Sequence, residues 1–264
     1  MPNPEGDMIW YELMTSDVEG ARAFYGAVVG WEINEGPPEF NGYRMITRSD
    51  GGFAGGVMPI TDDMASHGAR PRWLGYVHVA DVDAKVAAIE AAGGKAWWGP
   101  VDIPNVGRLA LVSDPQAAPF YVMKPNPPEG DPSAQSDVFS VDQPQRIRWN
   151  ELSTTDQDAA IDFYARHFGI RQEGAMDMGE MGEYRFIFKD DVRIGAIMRK
   201  PPGLPVSLWS FYVGVDDIDR AARAVTDGGG IVHHGPSEIP GGEFTIIASD
   251  PQGAAFGLVG PRKS

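Results

Sequence analysis

Residues 10–31 read WYELMTSDVEGARAFYGAVVGW, and residues 149–170 read WNELSTTDQDAAIDFYARHFGI. The two stretches match at a constant offset of 139, through Trp10/Trp149, Glu12/Glu151, Leu13/Leu152, Asp17/Asp156, Phe24-Tyr25/Phe163-Tyr164 and Gly30/Gly169. In each, an apolar run leads into a Thr/Ser/Asp cluster, an amphipathic helical pattern follows, and a glycine ends it. Asp suits the N-cap, where its carboxylate accepts from unpaired N–H groups and complements the helix dipole. Gly suits the position just past the helix, where φ is positive. A repeat of this length divides the chain into two related halves.

A smaller repeat lies inside the larger. Asp81 and Asp217 precede two further helical patterns, and four times an Asp is followed 13 residues later by a Gly: Asp17/Gly30, Asp81/Gly94, Asp156/Gly169 and Asp217/Gly230. A strand candidate stands before each Asp, at 9–14, 73–79, 147–153 and 208–215. Strand-like runs separated by turn residues follow the helices, in the first quarter at 42–47 and 53–58, in the second at 108–112 and 119–123, and in the fourth at 244–248 and 255–259. Asp114-Pro115-Gln116 and Asp250-Pro251-Gln252 are repeated turns in which Pro sets φ. Each quarter therefore reads β-α-β-β-β. The Pro-rich stretch KPNPPEGDPSAQSDVFSVDQP, residues 124–144, disfavours both helix and central strand. The expected organisation is an α+β fold with one domain over 1–124, a linker over 125–144 and a second domain over 145–264.

A length of 264 residues accommodates two such domains, each able to bury its own core. The formal charge of −15 argues against a nucleic-acid partner, which calls for basic patches. No cysteine is present, so disulfides, thiolate nucleophiles and Cys-based metal sites are excluded. The opening residues MPNPEGDM have neither a basic nor an apolar targeting region, and no run reaches the roughly 20 apolar residues of a membrane span. A soluble, cytoplasmic protein with no membrane partner is the expectation, acting as a monomer or a homodimer.

The capped Asp, the Phe-Tyr pair, the terminal Gly and the late Asp-Pro-Gln turns resemble the glyoxalase/bleomycin-resistance/extradiol-dioxygenase, or vicinal oxygen chelate, superfamily. The resemblance covers nearly the whole chain, and the paired Trp-x-Glu-Leu strands look like its tandem-domain, glyoxalase-like members. It implies two tandem domains, each a pair of βαβββ modules forming a curved mixed sheet around a ligand cup. Metal-dependent members place ligands near the start of each module's first strand and in its last strand. Carried over, the first-strand positions are Trp10, Leu74, Trp149 and Ser210. The last-strand positions are Tyr121 and Gly257, with Gly55-Gly56 and Gly195-Ala196 in the other two modules. None is His, Asp or Glu, whereas a divalent ion needs three or four N or O ligands at about 2.0–2.2 Å. No cofactor is therefore expected, and a divalent metal would require a non-standard site.

Period-2 alternation puts Trp10, Glu12 and Met14 on one face, and Trp149, Glu151 and Ser153 on its counterpart. Tyr76 and Tyr212 lie five residues before their Asp caps, as Glu12 and Glu151 do. By the resemblance this face looks into the cup, where each Glu meets a Tyr. Glu12 and Glu151 are thus candidate catalytic bases or ligand acceptors. Equally, they fit buried Glu–Tyr hydrogen bonds that fasten the modules. Trp10, Tyr76, Tyr121, Trp149 and Tyr212 are candidate ligand-binding residues, offering rings for a planar ligand or for core packing. His78 with Glu12 supplies only two candidate metal ligands. Trp97-Trp98 and Phe24-Tyr25 read as packing, and Arg108 and Glu243 as equivalent positions of opposite charge. The leading reading is a binder of a small planar or carbonyl-containing molecule. An alternative is a lyase or isomerase using Glu12 or Glu151 as base, with or without an unusual metal. A further alternative is an interaction protein with filled cups.

Overall fold

The computed structural model describes residues 3–37, 40–127, 130–131 and 133–263. The first module runs β1 (Met8–Thr15), α1 (Val18–Val29), β2 (Glu32–Ile33), β3 (Arg44–Thr47) and β4 (Phe53–Pro59). After a short helix α2 (Asp62–Ser66), the second runs β5 (Arg72–His78), α3 (Val82–Ala91), β6 (Lys95–Ile103), β7 (Gly107–Ser113) and β8 (Pro119–Pro125). The third is β9 (Ile147–Thr154), α4 (Gln157–Phe168), β10 (Arg171–Asp177), β11 (Glu183–Lys189) and β12 (Val192–Arg199). The fourth is β13 (Leu208–Gly214), α5 (Ile218–Asp227), β14 (Ile231–Glu238), β15 (Phe244–Ser249) and β16 (Ala255–Gly260). Each half of the sequence forms one eight-stranded mixed sheet, ordered β2-β3-β4-β1-β5-β8-β7-β6 and β10-β11-β12-β9-β13-β16-β15-β14. Within a module the first strand pairs in parallel with the last, and the later strands pair antiparallel. The helix supplies the long crossover that a parallel pair requires. The α+β architecture of two tandem, two-module sheets is the one the repeats imply.

Local rules set the helix ends. Asp17, Asp81, Asp156 and Asp217 each accept a backbone N–H from the first turn of their helix. Gly30 and Gly169 take φ of 83° and 66° at the ends of α1 and α4. The even 13-residue spacing misleads in the other two modules. There α3 and α5 stop earlier, and the left-handed residues are Gly93 and Gly229. Gly94 and Gly230 are required for another reason: a Cβ on either would stand 2.4 or 2.7 Å from the carbonyl of Ser113 or Ser249.

The chain divides into two compact units, and each draws on both halves of the sequence. One comprises residues up to Ile9, Gly75–Ser136 and Trp149–Trp209; the other comprises Trp10–Leu74, Asp137–Arg148 and Ser210–Ser264. In the first unit α3 packs on α4, and in the second α1 packs on α5.

A buried polar chain recurs in each unit. In the first, Trp209 Nε1 donates to Tyr164 Oη at 2.9 Å, and Tyr164 donates to Asp114 Oδ2 at 3.1 Å. Asp114 Oδ1 accepts from the N–H groups of Gln116 and Ala118 and so orders the β7–β8 turn. In the second, Trp73 donates to Tyr25 at 3.0 Å and Tyr25 to Asp250 at 3.1 Å, with Gln252 and Ala254 donating to the same carboxylate. The repeated Asp-Pro-Gln is therefore more than turn chemistry, and the Phe-Tyr pair more than packing. Together they tie a helix from one half to a turn from the other. Burial raises the Asp114 carboxyl to about 6, opposed by its backbone and Tyr164 hydrogen bonds. Burial raises Asp250 in the same direction, and raises both tyrosines well above the ordinary phenol value.

Tyr164→Phe strands a buried carboxylate oxygen and the Trp209 N–H, so denaturant unfolding is expected to lose about 1–3 kcal/mol. Asp114 also gives stability an inverted pH dependence. Between its unfolded value near 3.8 and its folded value of about 6, only the native carboxyl keeps its proton. That contribution is full below pH 4 and is lost as pH rises through 6. Unfolding curves of Asp114→Asn, subtracted from those of the unsubstituted chain across pH 4–6, are expected to reveal a fall of about 2–3 kcal/mol that the variant lacks.

Candidate functional site

The two Trp-x-Glu strands deliver their side chains by alternation. Tyr11 turns to the core and meets Phe211 edge-on at 5.0 Å, while Trp10 and Glu12 take the other face. Backbone register then sets four equivalent pairs on that face. Glu12 stands beside Gly56, Tyr76 beside Tyr121, Glu151 beside Ala196 and Tyr212 beside Gly257.

In the first unit Trp149, Tyr184 and Glu151 form a connected chain. Trp149 Nε1 donates to Tyr184 Oη at 2.7 Å, and Tyr184 donates to Glu151 Oε2 at 2.6 Å. The Trp149 and Tyr184 rings are nearly parallel, at 7°, and Phe186 meets both edge-on. A 2.6 Å O–H···O contact to a carboxylate has the length of a charge-assisted bond. In the same unit Tyr76 stacks on Tyr121 at 4.2 Å and 19°.

The second unit holds the counterparts. Trp10 Nε1 donates to Tyr43 Oη at 2.8 Å, and Phe53 meets the Trp10 ring at 6.3 Å. Glu12 is 1% exposed and Glu151 9%. Both glycines on this face are covered by phenol rings. A Cβ on Gly56 would fall 2.0–2.6 Å from Tyr43, and one on Gly257 2.3–2.6 Å from Tyr212. Glu12 and Tyr212 belong to the second unit, Tyr76 and Glu151 to the first.

Comparison with known proteins gives this geometry its context. Residues 146–258 match the model of the glyoxalase/bleomycin resistance protein/dioxygenase superfamily, and residues 8–49 match the bleomycin resistance protein-like N-terminal model. CFP32 of Mycobacterium tuberculosis, which carries a provisional glyoxylase name, is 31% identical over 260 residues, spanning 97% of this chain and 95% of its own. The chain belongs to the glyoxalase/bleomycin resistance/dioxygenase superfamily. DnrV of Streptomyces peucetius, named as an anthracycline biosynthesis protein, is 27% identical over 96% of this chain and 93% of its own. Among solved structures, the Mn(II)-bound glyoxalase of Novosphingobium aromaticivorans superposes with a TM-score of 0.63 at 16% identity, covering 98% of this chain and 83% of that one. The 2,2',3-trihydroxybiphenyl 1,2-dioxygenase of Sphingomonas wittichii RW1 gives 0.66 at 14% identity, covering 97% and 91%. These two structures share the fold.

The superfamily includes metal-bound members, so the donor set matters. Among the described residues no group of three or more His, Cys, Asp or Glu gathers where an ion could sit. At the positions the family pattern assigns to ligands, Trp10 donates to Tyr43, Trp149 donates to Tyr184, Tyr121 stacks on Tyr76 and Gly257 lies under Tyr212. Leu74 is 2% exposed and has no donor atom in its side chain. None of these side chains is a carboxylate or an imidazole, and Ser210 brings the one hydroxyl among the four first-strand positions. His78 Nδ1 lies 3.2 Å from the carbonyl of Pro4. His233 and His234 contact Ser249 and Ser237 respectively, which separates them.

Tyr43 and Tyr184 escaped the sequence reading, although each opens a Tyr-Arg dipeptide ahead of an apolar strand: Tyr43-Arg44-Met45-Ile46 and Tyr184-Arg185-Phe186-Ile187. Two expectations need correction. Trp97 and Trp98 are 54% and 46% exposed on β6, an edge strand, so packing does not account for them. Arg108 is not the counterpart of Glu243. Tyr121 corresponds to Gly257, and counting back along β7 and β15 from those registers pairs Arg108 with Phe244. Arg108 holds Asp83 and Asp102, whereas Glu243 holds Arg148.

A cleft of about 350 Å³ in the second unit contains none of the candidate residues. It lies at the end of α1, where Arg220 donates to the carbonyls of Ala27 and Val28. Those bonds satisfy a helix terminus, a structural task.

Gly257→Ala is expected to drive the Tyr212 ring off β16, because its nearest ring atoms lie close to the ring's own attachment and cannot swing clear. Thermal or denaturant unfolding should report a loss of about 1–3 kcal/mol, with a changed near-UV tyrosine signal.

Proposed function

We propose that the chain binds a small planar aromatic or carbonyl-containing molecule on the faces carrying Trp10, Tyr43 and Glu12 and carrying Trp149, Tyr184 and Glu151, with no resident metal. The observation that carries the reading is the Trp149–Tyr184–Glu151 chain, in which a phenol is bonded to a buried carboxylate beside flat aromatic surface. Indole and phenol rings offer flat surface to a planar ligand. The carboxylate and phenol offer hydrogen bonds that fix its orientation. The Streptomyces relative named for anthracycline biosynthesis supports a planar ligand, since anthracyclines are fused-ring compounds. The acidic composition supports a small-molecule partner over nucleic acid. Among the described residues no helix is long and apolar enough to cross a membrane, and we place the protein in the cytoplasm as a monomer or homodimer.

The 2.6 Å Tyr184–Glu151 bond favours one second reading, as does the glyoxylase name of CFP32. In it Tyr184 turns its O–H from Glu151 to the substrate oxygen that gains charge, and the freed Glu151 carboxylate removes a proton next to the carbonyl, as a lyase or isomerase requires.

Elemental analysis after dialysis against Zn²⁺, Ni²⁺, Mn²⁺ and Fe²⁺ is expected to find well below one ion per chain. Titration with 2-naphthol is expected to quench tryptophan fluorescence and raise the melting temperature, with both responses diminished in Trp149→Phe. Stoichiometric metal that disappears in Glu12→Gln or Glu151→Gln would overturn the metal-free reading. Turnover of a small carbonyl compound that is lost in Glu151→Gln, with 2-naphthol binding retained, would move the enzyme reading to first place.

A further inference from the structure

Both halves contain a β-bulge at the same place, and it re-aims one side chain in each. In the third module Phe186 pairs with Ala196, the register partner of Glu151, so Phe186 shares the Glu151 face. Ile187 then pairs with Gly195, but Phe188 pairs with Arg193, leaving Ile194 as the extra residue. Without the bulge, alternation would send Arg193 to the opposite face. With it, Arg193 stands on the face of Phe186 and Phe188. The ring geometry agrees: the Arg193 guanidinium lies 5.9 Å from the Trp149 ring centroid and 5.0 Å from that of Phe186.

The first module repeats the device with a different residue. Met45 pairs with Gly56, Ile46 with Gly55 and Thr47 with Phe53, so Ala54 is extra and Phe53 is turned onto the Glu12 face. Phe53 is 45% exposed and meets Trp10 edge-on. The same bulge therefore sets an apolar ring beside Trp10 and a cation beside Trp149. Arg193 is exposed, and among the described residues no carboxylate lies within ion-pair distance of it. Glu151, the acidic group of that face, is bonded to Tyr184.

We infer that the two faces differ in charge preference: Trp149, Phe186 and Arg193 select an aromatic acid, and Trp10 with Phe53 selects an uncharged ring. This rests on the aromatic-binding reading above and names the ligand class for one of its two sites. The ring of the acid lies against Trp149 and Phe186, and its carboxylate meets Arg193 in the two-point geometry a guanidinium offers. The cation–aromatic contacts hold Arg193 over the rings before a ligand arrives. Phe53, lacking charge, gives a carboxylate no ion-pair partner.

Matched probes test the inference on the full chain. Calorimetric titrations with 2-naphthoate and 2-naphthol, two compounds of the same ring system, are expected to reveal tighter naphthoate binding by about tenfold. Naphthoate affinity should fall with added salt. Arg193→Gln is expected to lose tenfold or more for naphthoate while binding naphthol within about twofold, and Arg193→Lys to retain part of the preference. Phe53→Arg is expected to add a second naphthoate site. Equal binding of the two probes, unchanged in Arg193→Gln, overturns the charge preference and leaves the aromatic site standing. Failure of both probes to bind overturns the inference together with the reading beneath it.

Discussion

In each unit an Asp carboxylate is buried at a tight turn, held by two backbone N–H groups on one oxygen and a tyrosine hydroxyl on the other. A buried carboxylate is costly unless its oxygens are satisfied. The tyrosine comes from a helix in one half of the sequence and the turn from the other half. A tryptophan N–H then fixes the tyrosine. The cost of leaving any member unpaired gives the packing of helix against turn a single register. The strands carrying Glu12 and Glu151 lead directly into those tyrosine-bearing helices, so the candidate faces inherit their positions from this constraint.

The candidate faces use the same residue types differently. At the anchors, Trp–Tyr–Asp is sealed in the core. At the faces, Trp149–Tyr184–Glu151 sits among partly exposed rings and an exposed arginine. Phenol rings cover Gly56 and Gly257, so small residues and rings fill space on the sheet faces that carry Glu12 and Tyr212. The fold is common to a Mn(II)-bound glyoxalase and a trihydroxybiphenyl dioxygenase that share only 16% and 14% of their residues with this chain. Fold and chemistry separate at the side chains.

Much of the architecture was legible because it obeys local rules. Asp caps, positive-φ glycines and two-residue alternation repeat four times, and each is a property of a few consecutive residues. Even spacing misleads where equivalent elements differ in length, as α3 and α5 do from α1 and α4. Gly94 and Gly230 keep the 13-residue spacing but serve close packing against a carbonyl, and their neighbours Gly93 and Gly229 end the helices. The 136-residue offset between the two Asp-Pro-Gln turns pairs Arg108 with Phe244, one position from Glu243, and a one-residue slip reverses which face a strand residue takes. Tyr43 and Tyr184 were missed because the tryptophans they meet lie 33 and 35 residues away in sequence.

The sequence by itself determined the four βαβββ modules, the superfamily, the absence of cysteine chemistry and the alternation that puts each Trp with its Glu. These follow from backbone preferences and side-chain periodicity, which neighbouring residues settle among themselves. Tertiary structure alone decided which tyrosine meets which carboxylate, which glycine lies under a ring, and that Phe53 and Arg193 take the same face as Glu12 and Glu151. Those outcomes depend on strand register and on one extra residue at a bulge. Register is fixed only when strands from different parts of the chain come together, because hydrogen-bond pairing and burial act across the sheet.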